Sequence, residues 1–337
     1  MTTRPARPLL ALLAAALTVL LCACGPPEQR SDDAPTAEGD ESGESGADAA
    51  AFPVTIEHRL GKTTIPAPPE RVFTVGWNDQ DFVLSLGVVP VGTRAWFDEY
   101  SDYPWVSEVT GGEELMAIED INYEQIAAAR PDVIVAIYEE FDEGVYDKLS
   151  RIAPTVLQPA EYGKSAPPWD VQLEITAQAL GRDAEAAALI QDVEARIELA
   201  KAENPQFAEQ TLVVDYGPED DGHWLVPAGD PRRSLFDQLG FAAQEHSKEL
   251  SGERLDLLEE DVLVVFGATE GDLTSPTFTA LDVVTEDRTL YVGWDATLSG
   301  AMSYSGPQAL LYALDQVVPQ LAAAADGDPT TEVGVLD

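Results

Sequence analysis

One short pattern occurs twice, and it constrains the fold of this chain more than any other feature. Residues 122–135 read NYEQIAAARPDVIV and residues 251–264 read SGERLDLLEEDVLV. In each copy a glutamate, Glu124 or Glu253, stands two positions before an aliphatic residue (Ile126, Leu255) and eight before an Asp-Val-aliphatic-Val run starting at Asp132 or Asp261. The spacing predicts a short helix with an exposed acid running into an apolar strand, built once in each half. Duplication of such a unit implies two similar lobes. A glutamate in a first helical turn is favoured by the helix dipole alone, but its recurrence at one offset reads as a two-point attachment site on a partner.

The surrounding segments alternate in the same way. Val54 to His58 and Lys62 to Ile65 flank Arg59-Leu60-Gly61 as a small hairpin, closed by Pro66, Pro68 and Pro69. A strand over 71–76, a helix over 80–86 ended by Gly87, a strand over 89–91, the first repeat, a helix over 139–152 and a strand over 154–157 follow. Pro167 and Pro168 introduce the longest helical pattern, from Trp169 to about Ala202. Gly181 lies within it, so it is either two helices or one with a break. The second half repeats the alternation: a strand from Thr211, Leu225-Val226, a helix over 235–239, the second repeat, strands over 262–266 and 290–292, and a final helix from Pro307 to about Ala324. The expected fold class is α/β, two lobes with mostly parallel sheets joined by one long backbone helix, with a ligand cleft between the lobes at the carboxyl ends of the strands. The expected division is 52–163 for the first lobe, 164–204 for the connecting helix, 205–326 for the second lobe and 327–337 for a flexible tail. A helical connection permits only small relative motion of the lobes.

The first residues belong to no lobe. Arg4 and Arg7 precede an apolar run from Leu9 to Leu21, and Leu21-Cys22-Ala23-Cys24 matches a bacterial lipobox. The pattern predicts an export signal over 1–23, with Cys24 as the site of lipid attachment. The apolar core is too short for an ordinary spanning helix. Residues 24–51 are acidic and small, without aromatics, and read as a disordered tether. Cys22 and Cys24 are the only cysteines, so the folded part carries no disulfide, thiolate nucleophile or cysteine metal site. The chain carries 19 basic against 61 acidic residues, a net −42. Such a surface repels nucleic acid and anionic lipid headgroups, leaving the lipid anchor as the only membrane contact, and it repels other copies, which favours a monomer. It hints at a saline habitat, where screening relieves that repulsion.

Motifs for catalysis are scarce. Gly61-Lys62-Thr63 lacks the upstream glycine of a phosphate loop, and neither G-x-S-x-G nor H-E-x-x-H occurs. His58, His223 and His246 are far apart, which disfavours a histidine metal centre. No enzyme, cofactor or metal site is expected. Aromatics and arginines cluster instead near predicted strand ends: Trp77, Arg94, Trp96 and Tyr138 in the first half, Trp224, Arg232, Arg233 and Tyr304 in the second. Indole and phenol faces offer broad, rigid contact to a bulky ligand, and guanidinium groups pair with anionic oxygens. These eight are the candidate ligand-binding residues.

Arg71-Val72 through Leu86-Gly87-Val88, Pro90-Val91-Gly92, Glu124 with Pro131-Asp132, Leu149-Ser150 with Ile152-Ala153-Pro154-Thr155, and Leu239-Gly240-Phe241 together carry a resemblance over nearly all of residues 52–325. In their order and spacing they resemble the helical-backbone (class III) substrate-binding proteins of ABC importers, the family that binds ferric siderophores, haem and vitamin B12. Trp77-Asn78-Asp79-Gln80-Asp81-Phe82 and Arg94-Ala95-Trp96-Phe97 look like actinobacterial ferric-siderophore lipoproteins in particular. The resemblance implies an outward-facing, lipid-anchored receptor that captures a ferric siderophore, with the iron held by its chelator, and delivers it to a permease dimer. It implies that Glu124 and Glu253 are the docking acids, each pairing with arginines of one permease subunit. The second repeat departs from the family pattern in reading Glu260-Asp261 where Pro-Asp is usual. Haem or a corrinoid is the alternative ligand, and a ligand-sensing surface lipoprotein without transport is the alternative role.

Overall fold

Short apolar runs, each stopped by Pro, Gly or Asp, make the strands, and the segments between them are long enough to cross over and return parallel. In the computed structural model, which describes residues 51–94, 97–140, 142–163, 165–218, 222–246, 249–334 and 336, the first half opens with the antiparallel hairpin β1 (Val54–His58) and β2 (Gly61–Ile65). It continues as β3 (Val72–Thr74), α1 (Asp79–Ser85), β4 (Thr93–Arg94), α2 (Pro104–Thr110), β5 (Ala117–Ile118), α3 (Tyr123–Ala129), β6 (Val133–Ala136), α4 (Glu143–Leu149) and β7 (Thr155–Leu157). A parallel sheet forms in the order β3-β6-β7, and β4 pairs in parallel with β5. The export signal, Cys24, the tether up to residue 50 and Trp96 lie outside the described residues.

After α5 (Trp169–Leu180) and α6 (Asp183–Glu203) the second half runs β8 (Thr211–Tyr216), β9 (Gly222–Trp224), α7 (Ser234–Gln238), β10 (Ala242–Ala243), β11 (Glu249–Ser251), β12 (Val262–Phe266), α8 (Asp282–Thr285), β13 (Thr289–Val292), α9 (Thr297–Tyr304) and α10 (Pro307–Ala324). Its parallel sheet has the order β10-β8-β12-β13, and β9 pairs antiparallel with β11. The fold is thus mixed α/β with mostly parallel sheets.

Burial on both faces explains why the strands read as continuous apolar runs. In β6 and the residue after it, Val133, Val135 and Ile137 enter a core shared by both halves, whereas Ile134 and Ala136 enter a separate outer cluster with Phe73 and Leu149. In β12, Val262, Val264 and Phe266 face the shared core, and Leu263 and Val265 face a different outer cluster with Phe278. The period of two sends alternate residues to opposite layers.

The repeat is a structural joint as well as a pattern. Asp132 accepts from the backbone N–H of Glu70 (2.8 Å) and Arg71 (2.9 Å), at the start of β3, and Asp261 accepts from that of Thr211 (2.8 Å), at the start of β8. Each recurring aspartate therefore sets the neighbouring strand's register. An arginine closes each joint: Arg71 donates to the carbonyls of Arg130 and Ala129, and Arg288 to those of Glu260 and Asp261. The copies differ at the helix. Asn122 caps α3 by accepting from Glu124 and Gln125 N–H, each at 3.1 Å, whereas the second copy makes only a 3-10 turn over Leu255–Leu258.

The connecting segment is two helices. Gly181 ends α5 in the left-handed region, φ +67°, with its N–H returned to the Ala177 carbonyl, a conformation that glycine adopts without the Cβ penalty. α6, about 30 Å long at the usual rise, packs against α5 and α10. α10 in turn touches α1, α2, α9 and β13, so the halves are tied by a helical layer rather than by one rod. Leu336 is buried and bridges Val292 of β13, and Gly334 N–H donates to Gln320 at 2.5 Å.

Candidate functional site between the two parallel sheets

The residues that follow the strands at their carboxyl ends converge. Trp77 lies three residues past β3, and its N–H donates to the Tyr138 carbonyl just past β6 at 3.0 Å. Arg94, the last residue of β4, lays its guanidinium over the Trp77 ring at 3.6 Å and forms an ion pair with Glu139. In the second half Tyr216 ends β8, Trp224 ends β9, and the Arg232 guanidinium stands 4.2 Å from the Trp224 ring and 5.0 Å from Tyr216. Asp230 holds Arg232 through two side-chain bonds of 2.8 and 2.7 Å and caps its backbone N–H. Tyr138 feels charges from both groups. Burial raises its phenol pKa, Arg232 opposes that rise, and Asp230, Glu140 and Glu139 add to it. Tyr216 is raised likewise by burial and feels both Arg232 and Tyr138.

The turn that presents Trp77 is locked from below. The buried carboxylate of Asp79 accepts from the backbone N–H of Gly76 (3.0 Å), Ile137 (3.0 Å) and Tyr138 (3.2 Å), and from Gln172 of α5 (2.9 Å). Gln172 also donates to Asn78, and Asn78 donates to the Tyr304 carbonyl at the end of α9. A side chain at Gly76 would collide with Asp79, its Cβ falling 2.2 Å from Oδ2. Asp81, two residues on, accepts from Tyr100 Oη, Trp105 Nε1 and the N–H of Gly306 at the start of α10.

Burial lifts both carboxyls, Asp79 and Asp81, to about 6 against an ordinary 3.8, although their hydrogen bonds pull the other way. In the folded chain they hold protons that the unfolded chain has already released. Their contribution to stability is therefore complete below about pH 4 and lost as pH rises through 6, at roughly 3 kcal/mol per carboxyl. Asp230 and Asp272, held low by their partners, act the opposite way and only in more acid solution. Thermal unfolding followed from pH 7.5 to 5 should show Tm rising, and Asp81→Asn should remove about half of that rise; a rise untouched by the substitution would assign it to surface acids instead.

Two of the eight candidate ligand residues are structural. Arg233 is fully buried, its guanidinium bonded to Asp237 (2.7 Å), Gln244 (2.7 Å) and the carbonyls of Val226 and Leu212, so it has no face for a ligand. Tyr304 is fully buried in an aromatic cluster, 4.3 Å from Tyr100 and 5.7 Å from Phe97 between ring centroids. Trp77, Arg94, Tyr138, Trp224 and Arg232 are half-buried, Arg94 lying over Trp77 and Arg232 beside Trp224. Sequence reasoning passed over Glu139 and Asp230, because in a chain with 61 acids no single acid stands out; the Asp-x-Arg spacing of Asp230 and Arg232 was the one available signal. Two of the histidines are engaged in hydrogen bonds: His58 with Thr63 and Tyr146, His223 with Asp215. A separate concavity of about 720 Å³ runs along β13, with Tyr291, Trp294, Asp287 and Gly334 among its walls. Its Trp294 ring is 5.1 Å from Tyr216. Glu124 and Glu253 are both exposed.

Two parallel sheets that bring aromatic faces and guanidinium groups together at their carboxyl ends define a solute-binding protein. The chain belongs to the periplasmic binding protein family, which matches residues 72–289. It is 27% identical to a probable siderophore-binding lipoprotein, YfiY, of Bacillus subtilis over 60% of this chain and 61% of that protein. It is 26% identical to the ferric-anguibactin-binding protein FatB of Vibrio anguillarum over 64% and 69%. The chain thus spans about three fifths to two thirds of the length of these curated relatives. Among solved structures, a periplasmic solute binding protein from Mycobacterium smegmatis superposes with a TM-score of 0.74 at 31% identity, covering 81% of this chain and 98% of that one. PiaA of Streptococcus pneumoniae in complex with ferrichrome, 24% identical, shares the fold with a TM-score of 0.67 over 81% and 99%.

Proposed function

We propose that the chain is the extracytoplasmic receptor of an ABC importer, anchored through a lipid on Cys24, that captures a ferric siderophore and delivers it to a permease dimer. The observation that carries this reading is the meeting of Trp77, Arg94 and Tyr138 with Trp224, Tyr216 and Arg232 between two parallel sheets. The lines of relatives named for siderophores and ferric chelates support it. In this reading the chelator supplies every iron ligand, and the protein supplies rigid aromatic walls and a few fixed charges that grip the outside of the complex. The protein makes and breaks no covalent bond.

Residues 52–163 and 205–326 act as the two lobes. Their helical layer, anchored at Gln172, Asp79, Asp81 and Gly306, limits closure to a small rotation. Glu124 and Glu253, one on each lobe, are the acids the permease reads. Haem would call for an axial histidine or tyrosine; His58 and His223 are already hydrogen-bonded, which leaves Tyr138 and Tyr216 as the side chains a haem would have to use. Quenching of tryptophan fluorescence by an iron-loaded siderophore, compared with its iron-free form, haem and cobalamin, tests the reading. Saturable quenching by the iron-loaded chelate alone is expected.

A further inference from the structure

Each arginine at the site already has a carboxylate. Arg94 is paired with Glu139 while stacked on Trp77, and it also donates to the Glu119 carbonyl at 3.2 Å. Arg232 is gripped by both oxygens of Asp230 while stacked between Trp224 and Tyr216. Arg59, on the β1–β2 turn, acts electrostatically on Glu139 and Glu140. Around Tyr138 and Trp77, Arg59, Arg94 and Arg232 thus stand against Glu139, Glu140, Asp230 and the buried Asp79 carboxyl, so these groups carry no positive surplus, and the rest of the chain is strongly negative.

This balance discriminates between ferric chelates by charge. Ferric iron wrapped by hydroxamates, with one negative charge per chelating group, is uncharged, or cationic if the chelator bears an amine. Iron wrapped by catecholates, with two charges per group, is a trianion, and hydroxycarboxylate complexes are also anionic. An anionic chelate that takes the Nε and Nη2 donors of Arg232 displaces Asp230 and leaves it partly buried without its partner, which is strongly unfavourable, and one that uses the outer N–H groups meets a guanidinium already neutralised by Asp230. An uncharged chelate meets neither attraction nor repulsion and needs only the aromatic walls and the outer N–H groups of the guanidiniums.

Resting on the ferric-chelate reading above, we propose that the ligand is an uncharged or cationic ferric chelate of hydroxamate type. Asp230 and Glu139 are then specificity-determining residues, which neutralise the site's arginines and so exclude anionic chelates. The stack of each arginine on an indole fixes the pair in place, so the neutralisation is built into the protein.

The test is competition binding to the full chain in detergent, with ferric desferrioxamine, ferric enterobactin (a tris-catecholate) and ferric citrate as probes. The ferric desferrioxamine complex should bind at least about 30-fold tighter than the trianion, the scale of leaving a buried charge unpaired. Asp230→Asn and Glu139→Gln, each close in shape to the original, should both move the affinity ratio toward the trianion by about tenfold or more. A wild-type preference for the tris-catecholate or citrate complex, or a ratio unmoved in both variants, overturns this inference and leaves the ferric-chelate reading standing. Failure of all three ferric probes to bind overturns both.

Discussion

A chain in which Glu124 and Glu253 are both replaced by alanine will bind its ferric chelate with unchanged affinity and import almost none of it. Both side chains are exposed, and the backbone around them is held by other groups: Asn122 and Asp132 in the first copy, Asp261 and Arg288 in the second. Surface substitutions of this kind shift stability by no more than about 0.5 kcal/mol, so Tm will move little. The effect falls on docking. In the proposed docking each carboxylate would offer a charge-assisted hydrogen bond to an arginine of the permease, worth roughly 1.5–3 kcal/mol. Losing one on each lobe costs about 3–6 kcal/mol, a hundredfold or more in affinity for the permease. The single variants should show intermediate uptake. Iron uptake by cells carrying the double variant is the measurement; full uptake would remove the docking role.

Replacing Asp79 with alanine will have the largest effect on the fold. The carboxylate is the common acceptor for three backbone N–H groups at the ends of β3 and β6 and for Gln172 of α5. Burial lifts its pKa to about 6, so the charge itself is costly. Truncation is worse, because four buried donors are left without their acceptor at about 1–3 kcal/mol each. Allowing for partial relaxation and for the relief of a desolvated charge, a net loss of about 4 kcal/mol is expected, a large part of the stability of an ordinary domain. Tm should fall by roughly 10 °C. Asp79→Asn keeps one acceptor oxygen and should lose less. Because Asp79 sets the turn carrying Trp77 and the backbone of Tyr138, both variants should also weaken ligand binding. An alanine variant with the original Tm would mean that water or a neighbouring group replaces the carboxylate.

The strands were readable because their signal is local. Val133 to Ile137 and Val262 to Phe266 are apolar on both faces, and the Asp-Val starts recur because Asp132 and Asp261 perform the same backbone task. The break at Gly181 could be placed but not decided, since a glycine inside a helical pattern is tolerated in some settings and ends the helix in others. The arginines were harder. Nothing adjacent to Arg233 distinguishes it from Arg232, yet one is fully buried against Gln244 and Leu212 and the other stacks on Trp224. Tyr304 is buried by Tyr100 and Tyr103, some two hundred residues earlier in the chain, a distance at which spacing carries no information. Arg94 and Glu139 are likewise paired only by the fold.

The most direct measurement is tryptophan fluorescence of the full chain in detergent, titrated with ferric desferrioxamine and with the same chelator free of iron. If Trp77 and Trp224 line the proposed site, a coloured complex bound there should quench them in a saturable, one-to-one manner, while the iron-free chelator leaves the signal unchanged. Quenching by haem or cobalamin in place of every ferric chelate, or equal quenching by the chelator with and without iron, would contradict the account.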